Sequence, residues 1–340
     1  EFEKDGVFLA VHGTSAAFDG LEDKDELLRT IQRCRCEDLE LSPPSILLNW
    51  DVRREECRNR VGDRLPSIAP NNTNSNGGAT VAVLKEPMGT RGEGIFFVTS
   101  ADDMYEIIEA HRKRAMEEGM DFLDSIIERK GRIPSWVLQA EVFPPMLIRG
   151  RRKFHIRSYV AAIERLEKTS LQDIYVYKRH EIRIAAQPID ENDTTSRDRL
   201  SHITNGGMAD TTERLLMTDV PELVDFQRKT EQFVAAMFHK HFFPDIARRV
   251  GVSAKETSSL ESEQKKFAIA GLDLMVCSTG RLYLLEVNVN PAAPPEHTIG
   301  EPFKEHLVGF VHDLIDLTVA TARGGKPSES NDFVLAESLL

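Results

Sequence analysis

The segment from Phe267 to Pro291 carries the strongest pattern in the chain, with apolar residues on both sides of Thr279-Gly280. It predicts two strands joined as a hairpin, because Thr-Gly is a short turn signal. With a two-residue turn, Ser278 faces Arg281 and Asp273 lies directly opposite Glu286. Asn288, two residues further on, shares the face of Glu286. A second pattern runs over Arg152–Ile163, where Lys153, His155 and Arg157 alternate with Phe154, Ile156 and Ser158. With Asp173–Tyr177 and Glu181–Ala185 it predicts a three-stranded meander. Thr80–Leu84, Ile95–Val98 and Trp136–Val142 read as strands, and Val7–Val11 and Ile46–Leu48 as weaker ones.

Helical spacing is expected over Glu22–Cys36, over most of Pro221–Val250 and over Phe303–Ala322. A long helix starts near Ser100, with Asp102 and Asp103 in its first turn, and runs to Lys130, where Gly131 and Pro134 stop it. Asn71–Gly78 and Asp190–Arg199 are polar loops, the first a boundary. Strands and helices mix without regular alternation, which predicts an α+β fold. The expected division is an N-terminal region over 1–70, a glycine-loop lobe over 79–145, a second lobe over 146–323 and a flexible tail over 324–340.

The 340-residue chain can bury a large core, and its net charge of −12 disfavours direct nucleic-acid binding. Between Arg149 and Arg183, however, ten basic residues stand against four acidic ones, a stretch suited to phosphates or an acidic polypeptide. Cys34, Cys36, Cys57 and Cys277 form neither a disulfide framework nor a zinc pattern, so reduced thiols and a cytoplasmic location are expected. No apolar run reaches transmembrane length and no secretory signal is visible. The chain begins at Glu1 without a Met, as an excised part of a longer polypeptide would.

The candidate chemistry is acid-rich and phosphate-directed. Two carboxylates and a carboxamide converging on one buried sheet call for a cation, and an all-oxygen set suits Mg²⁺ or Mn²⁺. Lys85-Glu-Pro-Met-Gly-Thr-Arg-Gly-Glu-Gly94 joins two strands, and Gly89, Gly92 and Gly94 allow backbone N–H groups to approach an anion. It is not a Walker A loop, since no Gly-Lys-Ser/Thr opens a helix. Lys153, His155 and Arg157 make an anion-binding row, with an exposed, charge-protected edge strand as the plainer alternative. Neither a Ser/His/Asp nor a Cys/His arrangement is discernible.

In this order, Lys85…Gly89-Thr-Arg-Gly-Glu-Gly-Ile95, Arg152-Lys-Phe-His-Ile-Arg-Ser-Tyr-Val160, His202-Ile-Thr-Asn205, Gly271-Leu-Asp-Leu-Met275 and Leu285-Glu-Val-Asn-Val-Asn-Pro291 resemble the tubulin tyrosine ligase family of the ATP-grasp superfamily. The resemblance spans roughly 80–322 and implies two α+β lobes clamping ATP, with residues 1–70 as a truncated domain in front. It implies that Lys85 and Lys153 contact phosphates under a loop containing Gly89, Thr90, Arg91, Gly92 and Gly94. Gln139, Ala140, Glu141 and Val142 would meet adenine, and Thr204 and Asn205 the ribose and phosphates. Asp273, Glu286 and Asn288 would hold Mg²⁺ or Mn²⁺, while Arg157 and Arg183, with His155 beside them, would bind the acceptor.

The implied reaction is an ATP-dependent ligation that forms a peptide-like carbon–nitrogen bond. A free amino acid joins an acidic or C-terminal carboxylate of a protein or peptide, tubulin being one possible acceptor, through an acyl phosphate. Arg157, Arg183 and Glu286 would be its catalytic residues. Two positions depart from tubulin-modifying members, which usually carry Asp at His155. Tyrosine ligase itself has Thr-Ser-Ser where Ile184-Ala-Ala follows Arg183 here. The Lys-Phe-His-Ile-Arg version is similar to a fungal branch linked to mRNA-processing bodies. That similarity implies an alternative, an ATP-binding ligase-like domain serving as an interaction module. A small-molecule ATP-grasp ligase is a third reading.

Overall fold

The computed structural model describes residues 18, 20–34, 40–64, 82–87, 94–117, 127–128, 131–164, 172–190, 198–204, 213–242, 244, 267–291 and 300–340. Among them the fold is α+β and ATP-grasp-like, with antiparallel sheets and helices mixed.

The smaller sheet contains β1 (Ser45–Leu48), β2 (Ala82–Lys85), β3 (Ile95–Val98) and β4 (Trp136–Ala140), in the order β1-β4-β2-β3. Leu48, Leu84, Val98, Trp136 and Leu138 cluster with Val52 and Cys57 near α2 (Arg54–Arg64) and Met104 and Ile108 of α3 (Ala101–Glu117). The start of α3 is fixed as its sequence promised. Asp103 N donates to Ser100 Oγ at 3.1 Å, and Thr99 N donates to Asp103 Oδ2 at 3.2 Å. Residues 127–128 are again helical and Gly131 N closes that turn on Ile127 O, while 118–126 lie outside the described residues.

The larger sheet runs β10-β9-β5-β6-β11, with β7 and β8 beside the first half of β5. These strands are β5 (Phe154–Glu164), β6 (Gln172–Tyr177), β7 (Glu181–Ile184), β8 (Glu213–Leu216), β9 (Phe267–Val276), β10 (Leu282–Val289) and β11 (Phe333–Leu335). β5 is the centre of this sheet and not an edge. One side pairs with β9 from Ile156 to Ile163, and the other pairs with β7 over 154–157 and β6 over 160–164.

The expected meander is therefore corrected. Strands β6 and β7 lie end to end along one side of β5, with 178–180 between them. Lys178-Arg179-His180 reads as a turn because it is polar, but His180 is buried and the chain continues in the same direction.

Phe154, Ile156, Val160 and Ala162 face the main core, with Val234, Phe238 and Phe242 of α5 (Phe226–Ala236), which follows the short α4 (Arg199–His202), and the π-helical turn Met237–Phe242 after it. On the opposite face Tyr159, Ala161 and Ile163 pack with Phe310, Leu314 and Leu317 of α6 (Glu301–Ala322). The 324–340 segment, read as a flexible tail from its Gly-Gly-Lys-Pro opening, instead supplies β11, which pairs with β6. Phe333 packs against both Tyr177 and Phe310, which also touch each other, and that apolar anchor outweighs the polar residues before it.

Residues 20–34 and 40–48 join the two sheets. The first helix, α1 (Lys24–Arg33), carries Asp25, which is 2% exposed and accepts from Ser135 N at 3.0 Å and from Arg132. Leu284 N donates to Leu41 O and Ala140 N to Pro44 O, so one segment is bonded to both β10 and the end of β4. The predicted strand Val7–Val11 lies outside the described residues.

Candidate functional site

The β9–β10 hairpin places its acids by a route that differs from the expected one. Cys277 N donates to Arg281 O and Gly280 N to Cys277 O, which makes a three-residue loop, and Gly280 takes φ +79°. That is the loop in which a type I turn is followed by a left-handed glycine. The register then slips by one at Leu285, so that Leu284 pairs with Leu274 but Glu286 pairs with Asp273. The extra loop residue and the extra strand residue cancel, which is why a two-residue turn yields the same Asp273–Glu286 opposition.

The bulge also changes the face presented. Leu282 and Leu284 point into the main core before it, and Val287 and Val289 after it, leaving Glu286 and Asn288 on the other face with Asp273. Re-aiming side chains is what bulges do beside functional sites. The bulged Leu285 carbonyl is not idle, for it accepts from Lys85 Nζ at 3.2 Å.

A cleft of about 690 Å³, its open mouth included, lies between the two sheets. Val83, Lys85, Ile95, Phe97 and Gln139 come from the smaller sheet, His155, Asp273, Met275, Leu285 and Glu286 from the larger, and Lys153 from the residue just before β5. Ala140, Glu141 and Val142 bridge them, and His202, Ile203 and Thr204 close one side. The closing segment is tied across by Arg199, whose Nη1 donates to Ile95 O at 2.6 Å. The size and the mixture of apolar walls with a few converging polar groups suit a small-molecule ligand.

The polar groups form three linked sets. Glu141 accepts from Lys153 and lies 2.9 Å from His202 Nδ1, which is itself 2.7 Å from Lys153 Nζ. Burial alone would raise the Glu141 carboxyl, but the His202 hydrogen bond and the Lys153 charge hold it below its ordinary value. Lys85 is pushed down to about 8 by burial, against the opposing pull of Glu286. His155 is held down by burial although Asp273 favours its charged form, and its Nδ1 contacts Thr204 Oγ1.

Asp273 is the junction. Arg157 donates to it twice, Nε to Oδ1 at 2.5 Å and Nη2 to Oδ2 at 2.9 Å. Asn288 Nδ2 donates to Oδ2 at 3.2 Å, and His155 Nε2 lies 3.2 Å from Oδ1 without hydrogen-bond alignment. Burial disfavours the Asp273 charge, yet Arg157 and His155 hold its carboxyl well below the usual range. Glu286 is raised, by burial and then by Asp273.

Asp273, Glu286 and Asn288 do converge. Glu286 has no hydrogen-bond or ion-pair partner among the described residues, and Asn288 turns its amino group to Asp273, leaving its carbonyl oxygen for a ligand. The donor set fits a hard divalent cation. It contains only two acids, and no cluster of three or more His, Cys, Asp or Glu side chains placed to hold a metal occurs among the described residues.

The sequence-derived residues separate clearly. Lys85, Gln139, Ala140, Glu141, Val142, Lys153, His155, Thr204, Asp273 and Glu286 line the cleft, and Asn288 and Arg157 touch Asp273. Arg183 stands one strand beyond, opposite His155 in register. Gly94 closes the strand pair, with Glu86 N donating to its carbonyl and φ at +70°. Gly89, Thr90, Arg91, Gly92 and Asn205 lie outside the described residues.

Two residues escaped the sequence reading. His202 was seen only as part of a short box. Glu181 is 1% exposed, lies opposite Arg157, and accepts from Tyr159 OH at 2.8 Å and Arg183 Nη2 at 3.2 Å. The available signal for Glu181 was its two-residue spacing from Arg183, which sets both on one strand face.

Among the described residues no helix is long and apolar enough to cross a membrane. The chain is 23% identical over 253 residues to protein polyglycylase TTLL10 from Macaca fascicularis, an alignment covering 70% of this chain and 38% of that protein. The chain thus spans well under half the length of that relative. The model of the tubulin-tyrosine ligase family matches residues 24–322, taking in α1, the smaller sheet, the larger sheet except β11, the cleft and α6. On that match, which covers most of the chain, the chain belongs to the tubulin-tyrosine ligase family.

Proposed function

We propose that the chain is an ATP- and Mg²⁺-dependent ligase that adds an amino acid to a carboxylate of a protein, by way of an acyl phosphate. One observation carries this reading: Lys85, Asp273 and Glu286, from three strands of two sheets, and Lys153 immediately before β5 line one cleft beside Arg157. Family membership supports a ligase acting on protein substrates.

Mg²⁺ held by Asp273, Glu286 and Asn288 would neutralise phosphate charge and favour loss of ADP. The chain's own residues do the positioning. Lys85 and Lys153 approach the phosphates from opposite sheets, and residues 139–142 offer backbone to a base. Arg157 orients the acceptor carboxylate as its oxygen attacks the γ-phosphate, and Arg183 stabilises the resulting acyl phosphate, from whose carbonyl the amine then displaces inorganic phosphate to form the amide. Such chemistry asks for fixed charge and geometry more than for covalent help from the protein.

The test is incorporation of radiolabelled Tyr, Glu and Gly into acidic peptides with ATP and Mg²⁺, with Glu286→Gln as control. Transfer that Glu286→Gln abolishes supports the ligase. ATP binding without transfer to any acceptor favours the second reading, a nucleotide-binding interaction module. That reading is favoured by one feature, since Arg157 and Arg183 are already engaged by Asp273 and Glu181.

A further inference from the structure

The cleft-facing side of the larger sheet carries an ionic row fixed by strand register. Glu286 lies opposite Asp273, Asp273 opposite Arg157, and Arg157 opposite Glu181, so the row crosses four strands. The next rung runs from His155 to Arg183 to Arg214. Three guanidiniums therefore gather beside the cleft. Asp273 engages one of them, and Glu181 engages Arg183 while facing Arg157.

Glu181 is anchored from behind. Tyr159 OH donates to its Oε1 at 2.8 Å, and His306 Nε2 of α6 lies 3.7 Å away. Burial would raise its carboxyl, but His306, Arg183, Arg157 and Tyr159 bring it down to about 2, so it is a carboxylate at any working pH. Arg183 keeps a buried Nε with no partner among the described residues, although its side chain is only 9% exposed. Arg214 opposes it with like charge and no ion-pair partner among the described residues. The arginine cluster is thus larger than its internal acids satisfy.

We infer that Glu181 is a resident carboxylate occupying the Arg157–Arg183 position of the acceptor's carboxylate, and so a residue that sets acceptor specificity. This rests on the proposed ligase reading and deepens it. A carboxylate acceptor meets an arginine pair already half neutralised by a fixed acid that shares its charge. The wild-type site accordingly holds an acceptor carboxylate only weakly, and replacing Glu181 by its neutral isostere strengthens that hold. Arg183, with Arg214 behind it, then supplies the guanidinium.

The test is the affinity of the full chain for a fluorescein-labelled oligoglutamate peptide, with oligoglutamine as control. ATP affinity is measured separately on every variant. Glu181→Gln should bind oligoglutamate at least about tenfold more tightly than wild type, the worth of one charge-assisted hydrogen bond. Its melting temperature should rise with added peptide, and the gain should vanish in Glu181→Gln/Arg183→Gln. No gain in a folded Glu181→Gln protein overturns the inference, as does a gain that survives loss of Arg183. If Glu181→Gln does not fold, Tyr159→Phe frees one hold on the carboxylate, and it must give a smaller gain in the same direction or the inference fails. Loss of ATP binding by wild type would sink the ligase reading while leaving the peptide comparison readable.

Discussion

Arg157 and Asp273 face each other on neighbouring strands and share two hydrogen bonds, with both side chains buried. The arginine neutralises the carboxylate that the proposed metal site needs, so the two roles of Asp273 compete. Removing one member of a buried pair leaves an uncompensated charge, and Arg157→Met should cost about 3–5 kcal/mol of stability. Urea denaturation measures this, and a loss near zero would show that the pair contributes little.

Lys85 gives a pH signature. Its folded-state value of about 8 lies below the ordinary lysine value, because burial disfavours its charge. Between those two values the unfolded chain holds more protons than the folded one, so the Lys85 contribution to stability rises with pH across that window. Its charge in the ligand-free protein fades over the same range. ATP affinity should therefore fall above about pH 8 in wild type, and Lys85→Arg should flatten the profile, because arginine stays charged. Calorimetric titration at several pH values decides the matter.

Acid stability should depend on Glu181. Its folded value of about 2 lies below its ordinary one, so its contribution is fully present above the ordinary glutamate range and is lost as pH falls through that value. Asp273, also held low, acts in the same direction. Glu181→Gln should show a shallower loss of stability between pH 5 and 2, roughly the span separating an ordinary glutamate from one held so low. An unchanged acid limb would place the proton uptake elsewhere.

The elements that were legible in the sequence are those whose side chains alternate against a core. Lys153, His155 and Arg157 on one face of β5 and the Asp273–Glu286 opposition both follow from a period of two. The larger sheet's order was not legible, because the pairing of β5 with β9, and of β6 with the distant β11, joins segments that no local pattern connects. The role of residues 20–34 and 40–48 was hidden for the same reason, since Leu41, Pro44 and Asp25 act through a few long-range hydrogen bonds. Glu181 was overlooked because an acid near arginines reads as ordinary surface charge until its burial is known.

Gly280 should resist substitution. Its φ of +79° disfavours any side chain, and a Cβ there would meet the Phe226 ring at 3.3 Å. Gly280→Ala should cost about 1–2 kcal/mol, read by thermal or urea denaturation. Wild-type stability in this variant would mean that the loop can relax to another turn.

The C-terminal strand should be needed for full stability. Phe333 is buried against Tyr177 and Phe310, and Phe333→Ala should cost about 3–5 kcal/mol. Truncation after Arg323 should cost at least as much and should expose the unpaired edge of β6 to self-association, visible by light scattering.

The irregular β9–β10 hairpin makes the chain's tolerance of length change lopsided. Deleting one loop residue can be absorbed by erasing the bulge at Leu285, which keeps Glu286 opposite Asp273. The same adjustment swaps Tyr283 and Leu285 into the core and expels Leu282 and Leu284 from it. A shortened turn would thus announce itself as a poorly packed interior before it disturbed the acids. Loss of Leu285 alone would erase the bulge, keep both the interior and the Glu286–Asp273 opposition, and remove a wall of the cleft together with the carbonyl that holds Lys85. Single-residue deletions at these two places, so close along the chain, should therefore separate folding from ligand binding.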